Sequence, residues 1–236
     1  ALDVTPGFAW SNYSDMGGFF YPGIDMGYRL TSHIKVTYNT GYTYRIPTYT
    51  DLFYQSTTTK GNSDLQPEKA LSHEISMRYQ SQNWSVEAAV FQRDGENLID
   101  FVKQSPDDVA WVAENIVDKI TTVGGELNTV WQYRIGKQQH TLNLSYAYLE
   151  DDYIKSVYSK YALNFLKHDL NIQLTKAFSS RFSTTAAYRY AKRALGDTYQ
   201  LFNLQLIYTL GSKWDIEIQG RNLFIALYLK TLFPFP

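Results

Sequence analysis

From Trp214 to Gln219 the chain reads Trp, Asp, Ile, Glu, Ile, Gln, apolar and polar in strict alternation. Successive side chains on a β-strand point to opposite faces, so such a run has one apolar and one polar side. The pattern recurs at Ile34–Tyr42, Leu142–Tyr148, Leu170–Thr175 and Phe202–Tyr208. Roughly eleven such segments are expected, near 2–10, 20–31, 34–46, 71–81, 84–93, 112–133, 139–149, 167–177, 181–192, 199–210 and 213–224. No convincing helical stripe competes with them. Several run to about ten residues or more, where soluble strands average ~5–6 and bilayer-spanning strands need ~9–11. No apolar stretch approaches the ~20 residues of a spanning helix. The fold class expected is all-β, a transmembrane antiparallel β-barrel.

The connections point the same way. Short ones are read at 30–33, 80–83, 135–138, 178–181 and 210–213, and long ones near 11–19, 47–70, 94–111, 150–166 and 193–198. They alternate, and consecutive antiparallel strands place every second connection at the same end. Outer-membrane barrels sort their loops in this way, short on the periplasmic side and long outside. A lipid-facing Arg at the midplane would cost ~2–4 kcal/mol, so the side bearing Asp215, Glu217, Gln219 and Arg221 is assigned to the lumen. Aromatics recur near strand ends at Trp10, Tyr28, Tyr79, Trp84, Tyr133, Tyr148, Tyr208 and Trp214, as interfacial girdles require. The competing reading is a soluble β-sandwich or β-barrel module whose aromatics form its core.

Composition removes other classes. The 236 residues suit one large domain or two small ones, and a net charge of −1 gives no basic excess for nucleic acid. Cys is absent, so disulfides and thiolate metal sites are excluded. Aromatic residues make up 16%, too many for a disordered tail. Ala1-Leu2-Asp3-Val4 has neither a basic start nor an apolar core, so a mature or internal segment is expected. His33, His73, His140 and His168 are scattered without ligand spacing, and no metal site is expected of them. Asp94, Glu96, Asp100, Asp107 and Asp108 make one loop acidic, and Glu150-Asp151-Asp152 another. Calcium favours such oxygens, but the spacing is not that of an EF-hand, and a solvated face is expected instead. No phosphate loop, nucleophile elbow or defensible Ser/His/Asp set appears, so no catalytic residue is assigned.

Four motifs then carry a resemblance. Tyr44-Arg45-Ile46-Pro47 ends a strand and is followed by Asp51-Leu52-Phe53. Gly61-Asn62-Ser63-Asp64-Leu65-Gln66-Pro67-Glu68 follows, with Glu74 in the next strand. Asn115 precedes Gly124-Gly125-Glu126, and Arg221-Asn222-Leu223-Phe224 precedes Tyr228. Together, in this order, they resemble the barrel motifs of TonB-dependent outer-membrane receptors. The layout is most similar to that of cobalamin and siderophore receptors. Ile225 stands where the family has a polar residue, and the tail Leu232-Phe233-Pro234-Phe235-Pro236 lacks a final strand ending in an aromatic.

The resemblance implies the C-terminal portion of a barrel of about 22 strands, with the plug domain, the first barrel half and the last strand absent. Such a piece is not expected to close alone, because open sheet edges in a bilayer leave backbone groups unsatisfied. It further implies import of a scarce nutrient complex, such as a ferric siderophore or cobalamin, with energy from the TonB complex. The implied partners are outer-membrane lipid, the protein's own plug and remaining strands, and the TonB complex; a surface-exposed substrate-binding lipoprotein is not specified by the motifs. No resident cofactor is implied, although the cargo carries iron or cobalt in those receptors. The motif residues Arg45, Pro47, Gly61, Asn62, Leu65, Pro67, Glu68, Glu74, Gly124, Glu126, Asn222, Leu223 and Phe224 are read as structural. Glu74, Arg78, Glu126, Asp215, Glu217 and Arg221 are placed in a watery lumen or against the plug. Ligand contact is sought in loop aromatics, which give area at low entropy cost. These are Tyr49, Phe53 and Tyr54 in one loop, Phe101 and Trp111 in the next, and Tyr153, Tyr158 and Tyr161 in a third. A passive porin or structural barrel is the alternative.

Overall fold

The computed structural model of the chain describes residues 1–115, 119–152, 158–160, 165–194, 196, 198–211 and 214–223. The strands are β1 (Leu2–Tyr13), β2 (Gly17–Arg29), β3 (Ile34–Arg45), β4 (Thr59–Lys60), β5 (Glu68–Gln80), β6 (Trp84–Glu96), β7 (Ile99–Lys103) and β8 (Trp111–Asn115). They continue with β9 (Ile120–Ile135), β10 (Gln138–Asp152), β11 (Tyr158–Ser159), β12 (Leu166–Ala177), β13 (Phe182–Arg193), β14 (Thr198–Leu210) and β15 (Trp214–Gly220). One helical turn, α1 (Tyr49–Phe53), lies between β3 and β4.

Eleven strands form one sheet in the order β1-β2-β3-β5-β6-β9-β10-β12-β13-β14-β15, the order of sequence once the short loop strands are left out. They range from 7 residues in β15 to 16 in β9, and most exceed the length that a bilayer core needs. The architecture is that of a transmembrane antiparallel barrel wall. Two compact units make it up, Ala1–Met77 with Ala89–Gly125 and Leu149–Phe165, and Arg78–Ala88 with Glu126–Tyr148 and Leu166–Pro236.

Register shows why the alternation matters. In the second unit Leu144 pairs with Ile172 and Ile172 with Tyr188, and Leu142 pairs with Leu174. One residue along, Asn143 pairs with Gln173, and Thr175 with Thr185, which pairs with Gln205, itself opposite Gln219. Apolar residues therefore share one face and polar residues the other. Ile216, Ile218 and Trp214 are 51%, 61% and 72% exposed on the apolar side, while Leu144 and Leu170 are half-buried. They are not sealed in a core, as a sandwich would need, and an exposed apolar surface of this extent fits lipid. The same face carries a stack of aromatics toward the short turns. Trp84 lies 5.0 Å from Trp131, Trp131 4.4 Å from Tyr133, and Tyr133 5.0 Å from His140. This is an interfacial girdle containing the expected Trp84 and Tyr133.

In the first unit β1 pairs with β2 from Leu2↔Tyr28 to Tyr13↔Gly17. This corrects the expected long loop near 11–19: only residues 14–16 separate the strands. Gly17 has φ +77, a conformation open to glycine, which lets the ladder close in a tight turn. The expected single strand over 112–133 is two strands in different sheets, β8 and β9. The long loops are also not structureless. α1 is capped by Thr48, whose hydroxyl accepts from the Asp51 amide while the Asp51 carboxylate accepts from the Thr48 amide. A second sheet, β11-β7-β8-β4, is built wholly from loop residues, with β4 parallel to β8 and the other pairs antiparallel. Leu65, Ile99, Phe101 and Ala113 are buried together beneath Leu52 and Trp111. The clearest hydrophobic core among the described residues thus belongs to the outer loops, which face water, and not to the wall.

Candidate functional site

The motif residues meet at the base of this loop assembly. β3 ends at Arg45, and buried Pro47 cannot continue the ladder. The Arg45 guanidinium donates to Glu68 Oε1 at 2.6 Å, to the Ile99 carbonyl at 3.1 Å and to Asp51 Oδ2 at 3.3 Å. Glu68 Oε1 also accepts from the Ile99 amide at 2.7 Å. The bond to Glu68 holds the guanidinium above its ordinary pKa, against an opposing effect of burial. Glu68 and Asp51 are buried carboxylates whose charge Arg45 offsets. One arginine thus joins the start of β5, the helical turn and the start of β7.

The remaining loop marks are geometric. A Cβ on Gly61 would lie 2.8 Å from the Leu52 carbonyl carbon and 2.9 Å from the Asp51 oxygen, so only glycine fits. The Asn62 amide donates to the Asp51 carbonyl, and its side chain accepts from the Asp64 amide in a local turn. Leu65 enters the loop core, and half-buried Pro67 leads into β5. Asn115 ties three segments: its Nδ2 donates to the carbonyls of Gln66 and Asn97, and its Oδ1 accepts from the Gln66 amide. Replacing Asn115 by Ala is expected to cost the loops ~1–3 kcal/mol. Limited proteolysis would read this as faster cleavage within 97–115 with the wall still resistant to heat.

The polar face of the wall bonds mostly to itself. The Asn39 side chain reaches Glu74 Oε1 at 3.5 Å in one amide orientation and Asp25 Oδ1 at 3.0 Å in the other. Arg78 pairs with Glu87 at 2.7 Å, Thr209 donates to Asp215, Gln205 to Glu217, and Arg221 to Gln219. Gly124 lies in β9, and Glu126 after it lines a small cavity with Asn128, Ser145, Asp169 and Asn171. A larger cavity of about 490 Å³ is lined by Asn128, Asn143, Asn171, Gln173, Arg189 and Asn203 among others, a surface rich in carboxamides. Asn222 has φ +52, and Leu223 donates its amide to the Phe202 carbonyl; Phe224 lies outside the described residues.

Most of the expected ligand aromatics lie around the loop sheet. Tyr49 is 79% exposed, and Phe53, Tyr54 and Tyr158 are also open. The Tyr49 and Phe53 rings pack against each other at 5.1 Å. Phe101, only 9% exposed, is a core residue, and Trp111 is half-buried above it. Tyr153 and Tyr161 lie outside the described residues. Two lysines that the sequence reading did not single out complete the group: Lys103 Nζ lies 5.1 Å and Lys160 Nζ 5.9 Å from the Trp111 ring centre. The acidic loop is less solvated than expected. Asp100 is buried, accepting from the Phe101 amide and the Ser159 hydroxyl, and Asp108 accepts from the Gln104 and Ser105 amides. These donors hold the loop's turns together. Among the described residues no group of three His, Asp or Glu is placed to hold a metal ion.

Comparison with known proteins fits this arrangement. The vitamin B12 transporter BtuB of Photobacterium profundum is 30% identical over 127 residues, 52% of this chain and 19% of that protein. The one from Vibrio vulnificus is 32% identical over 89 residues, 38% of this chain and 13% of that protein. Among solved structures, the siderophore receptor PirA of Pseudomonas aeruginosa superposes with a TM-score of 0.69 at 18% identity over 94% of this chain and 40% of that one. A ferric enterobactin receptor (PfeA) mutant from the same organism gives 0.72 at 18% identity, over 94% of this chain and 38% of that one. The chain therefore spans about a fifth or less of the two curated relatives' length and about two fifths of these structures. The two solved structures agree with this chain in fold, a barrel wall of the outer-membrane type. The family model described as TonB dependent receptor-like, beta-barrel matches residues 1–223, and with nearly its whole length so covered the chain belongs to the TonB-dependent receptor family.

Proposed function

We propose that the chain forms part of the barrel wall and outer loops of a receptor that imports a scarce, partly apolar nutrient complex across the outer membrane. The cargo is of the ferric siderophore or cobalamin class, and energy comes from the TonB complex acting on a plug within the lumen. The receptor is not an enzyme and holds no resident cofactor. Support comes first from the family, and from relatives that are transporters and receptors. The observation that carries the ligand reading is the ordered loop sheet with Lys103 and Lys160 over the Trp111 ring. Cations beside a half-buried indole suit a ligand with negative oxygens and an apolar body. Contact falls on Trp111, Tyr49, Phe53, Tyr54 and Tyr158, with Phe101 supporting them from below; Tyr153 and Tyr161 belong to the same loop set. The carboxamide-lined polar face supports docking of the plug, since neutral donors and acceptors hold a surface without fixing it by charge.

The test uses the full-length receptor with cyanocobalamin and ferric enterobactin as probes. Binding of one probe below micromolar concentration, without a stable open conductance in a planar bilayer, is expected. Trp111→Ala and the pair Lys103→Gln/Lys160→Gln should each weaken that binding about tenfold, or ~1.4 kcal/mol. A stable open channel that binds neither probe would establish a porin instead.

A further inference from the structure

One histidine of the first unit lies on the face assigned to lipid. There Ile24 pairs with Thr40, Met26 with Tyr38 and Tyr28 with Val36, an outward set. The hydroxyls of Tyr38 and Thr40 both lie 2.9 Å from His73 Nδ1, and the Tyr38 ring stacks on the imidazole with 6.3 Å between centres. The next side chains of β5 on that face, Ile75 and Met77, are apolar and exposed. Ser76, between them, bonds to Thr37 on the polar face. Thr40 is the seventh of the twelve residues of β3 and His73 the sixth of the thirteen of β5, so the trio lies near the middle of the span.

Hydrocarbon offers an imidazole no hydrogen bond, and a side chain this short does not reach the interface from mid-span. Nδ1 carries either a lone pair or an N–H. With the lone pair it accepts from a hydroxyl, and the N–H is at Nε2. With the N–H it donates to one of the two oxygens, and Nε2 is a bare acceptor. In both tautomers Nε2 makes no bond among the described residues. The imidazole is half-buried, at the surface of the wall. An unpaired polar group at this depth marks contact with something other than lipid. The trio is its own complement, since it holds one ring nitrogen without a partner and two hydroxyl oxygens with lone pairs to spare. Two copies facing across a two-fold axis exchange the same bond twice, Nε2 of each ring against a Tyr38 or Thr40 oxygen of the other copy. Leu71, Ile75, Met77 and Tyr79 complete this face of β5, with no charged residue among them to oppose the approach.

We infer that the outward face of β2, β3 and β5 is a self-association surface in the membrane plane, on which a second copy of the receptor docks through His73, Tyr38 and Thr40. The inference goes beyond nutrient import and rests on the assignment of this face to lipid. Full-length receptor, labelled in separate batches with a donor or an acceptor dye, is reconstituted together in liposomes at a series of lipid-to-protein ratios. Energy transfer between wild-type copies should exceed that of randomly placed barrels and fall on dilution. His73→Leu should weaken the association about tenfold, and His73→Gln, which keeps a donor and an acceptor, should retain it. Transfer at the random level in the wild type, or undiminished transfer in His73→Leu, would overturn the surface. Leucine suits a lipid-facing position, and unheated gel mobility reports the folded barrel. If that variant does not fold, His73→Phe is read by the same criteria. Binding of cyanocobalamin and ferric enterobactin is measured in parallel. Loss of association with cargo binding intact assigns the effect to this surface, whereas association by a wild type that binds neither probe counts against the transport reading alone.

Discussion

Ile172→Arg in the full-length receptor is expected to reduce the folded barrel sharply, while Gln173→Arg, one residue away, leaves it nearly unchanged. Ile172 is the seventh of the twelve residues of β12 and lies between Leu144 and Tyr188 on the apolar face. An arginine there meets hydrocarbon near the midplane, at ~2–4 kcal/mol. Gln173 lies between Asn143 and Ala187 and lines the polar cavity, where a cation keeps its water. Urea titration in liposomes, followed by heat-modifiable gel mobility, measures both. Equal destabilisation by the two substitutions, or a larger effect at Gln173, would show that the assignment of faces is inverted.

Removing Arg45 should have the largest effect outside the membrane. Arg45→Ala strands Glu68 and Asp51, both buried, without their cation. Loss of one partner of a fully buried pair costs ~3–5 kcal/mol, and since the arginine side chain is 43% exposed, about 1–3 kcal/mol is expected here. The loss is local. Exchange of the Ile99 amide, which donates to Glu68, should accelerate at least tenfold, and protease sites within 47–68 should open. Adding Glu68→Gln to Arg45→Ala removes the stranded charge beside Ile99 while keeping an acceptor for its amide and leaving Asp51 unpaired, so part of the protection at Ile99 should return. Unchanged exchange at Ile99 in the single variant would mean that the loops are held by their apolar core alone.

What the sequence disclosed follows from how local each signal is. Alternation in β12 to β15 is written in neighbouring residues, so strands, faces and the girdle residues Trp84 and Tyr133 were legible. The Arg45 and Glu68 marks were legible as motifs, but their meeting at the Ile99 backbone was not, because 54 residues separate Arg45 from Ile99. The loop sheet escaped for a related reason. Strands of two residues, as in β4 and β11, leave no period, and the parallel pairing of Thr59 with Trp111 joins distant segments. In sequence Phe101 reads as a candidate ligand contact because it is an aromatic in a long loop, whereas it is a buried residue of the loop core. The run Ile99-Asp100-Phe101-Val102 did carry a strand-like signal that could have identified it. Lys103 and Lys160 have no mark in sequence, since lying over an indole is a property of the folded loops alone.

The parallel pairing of β4 with β8 makes two outer loops rise and fall together. The freedom they would otherwise have is surrendered when the polypeptide folds, before any visitor arrives. A molecule reaching them from outside then loses little further disorder in docking, so modest contacts suffice for tight capture at vanishing concentrations.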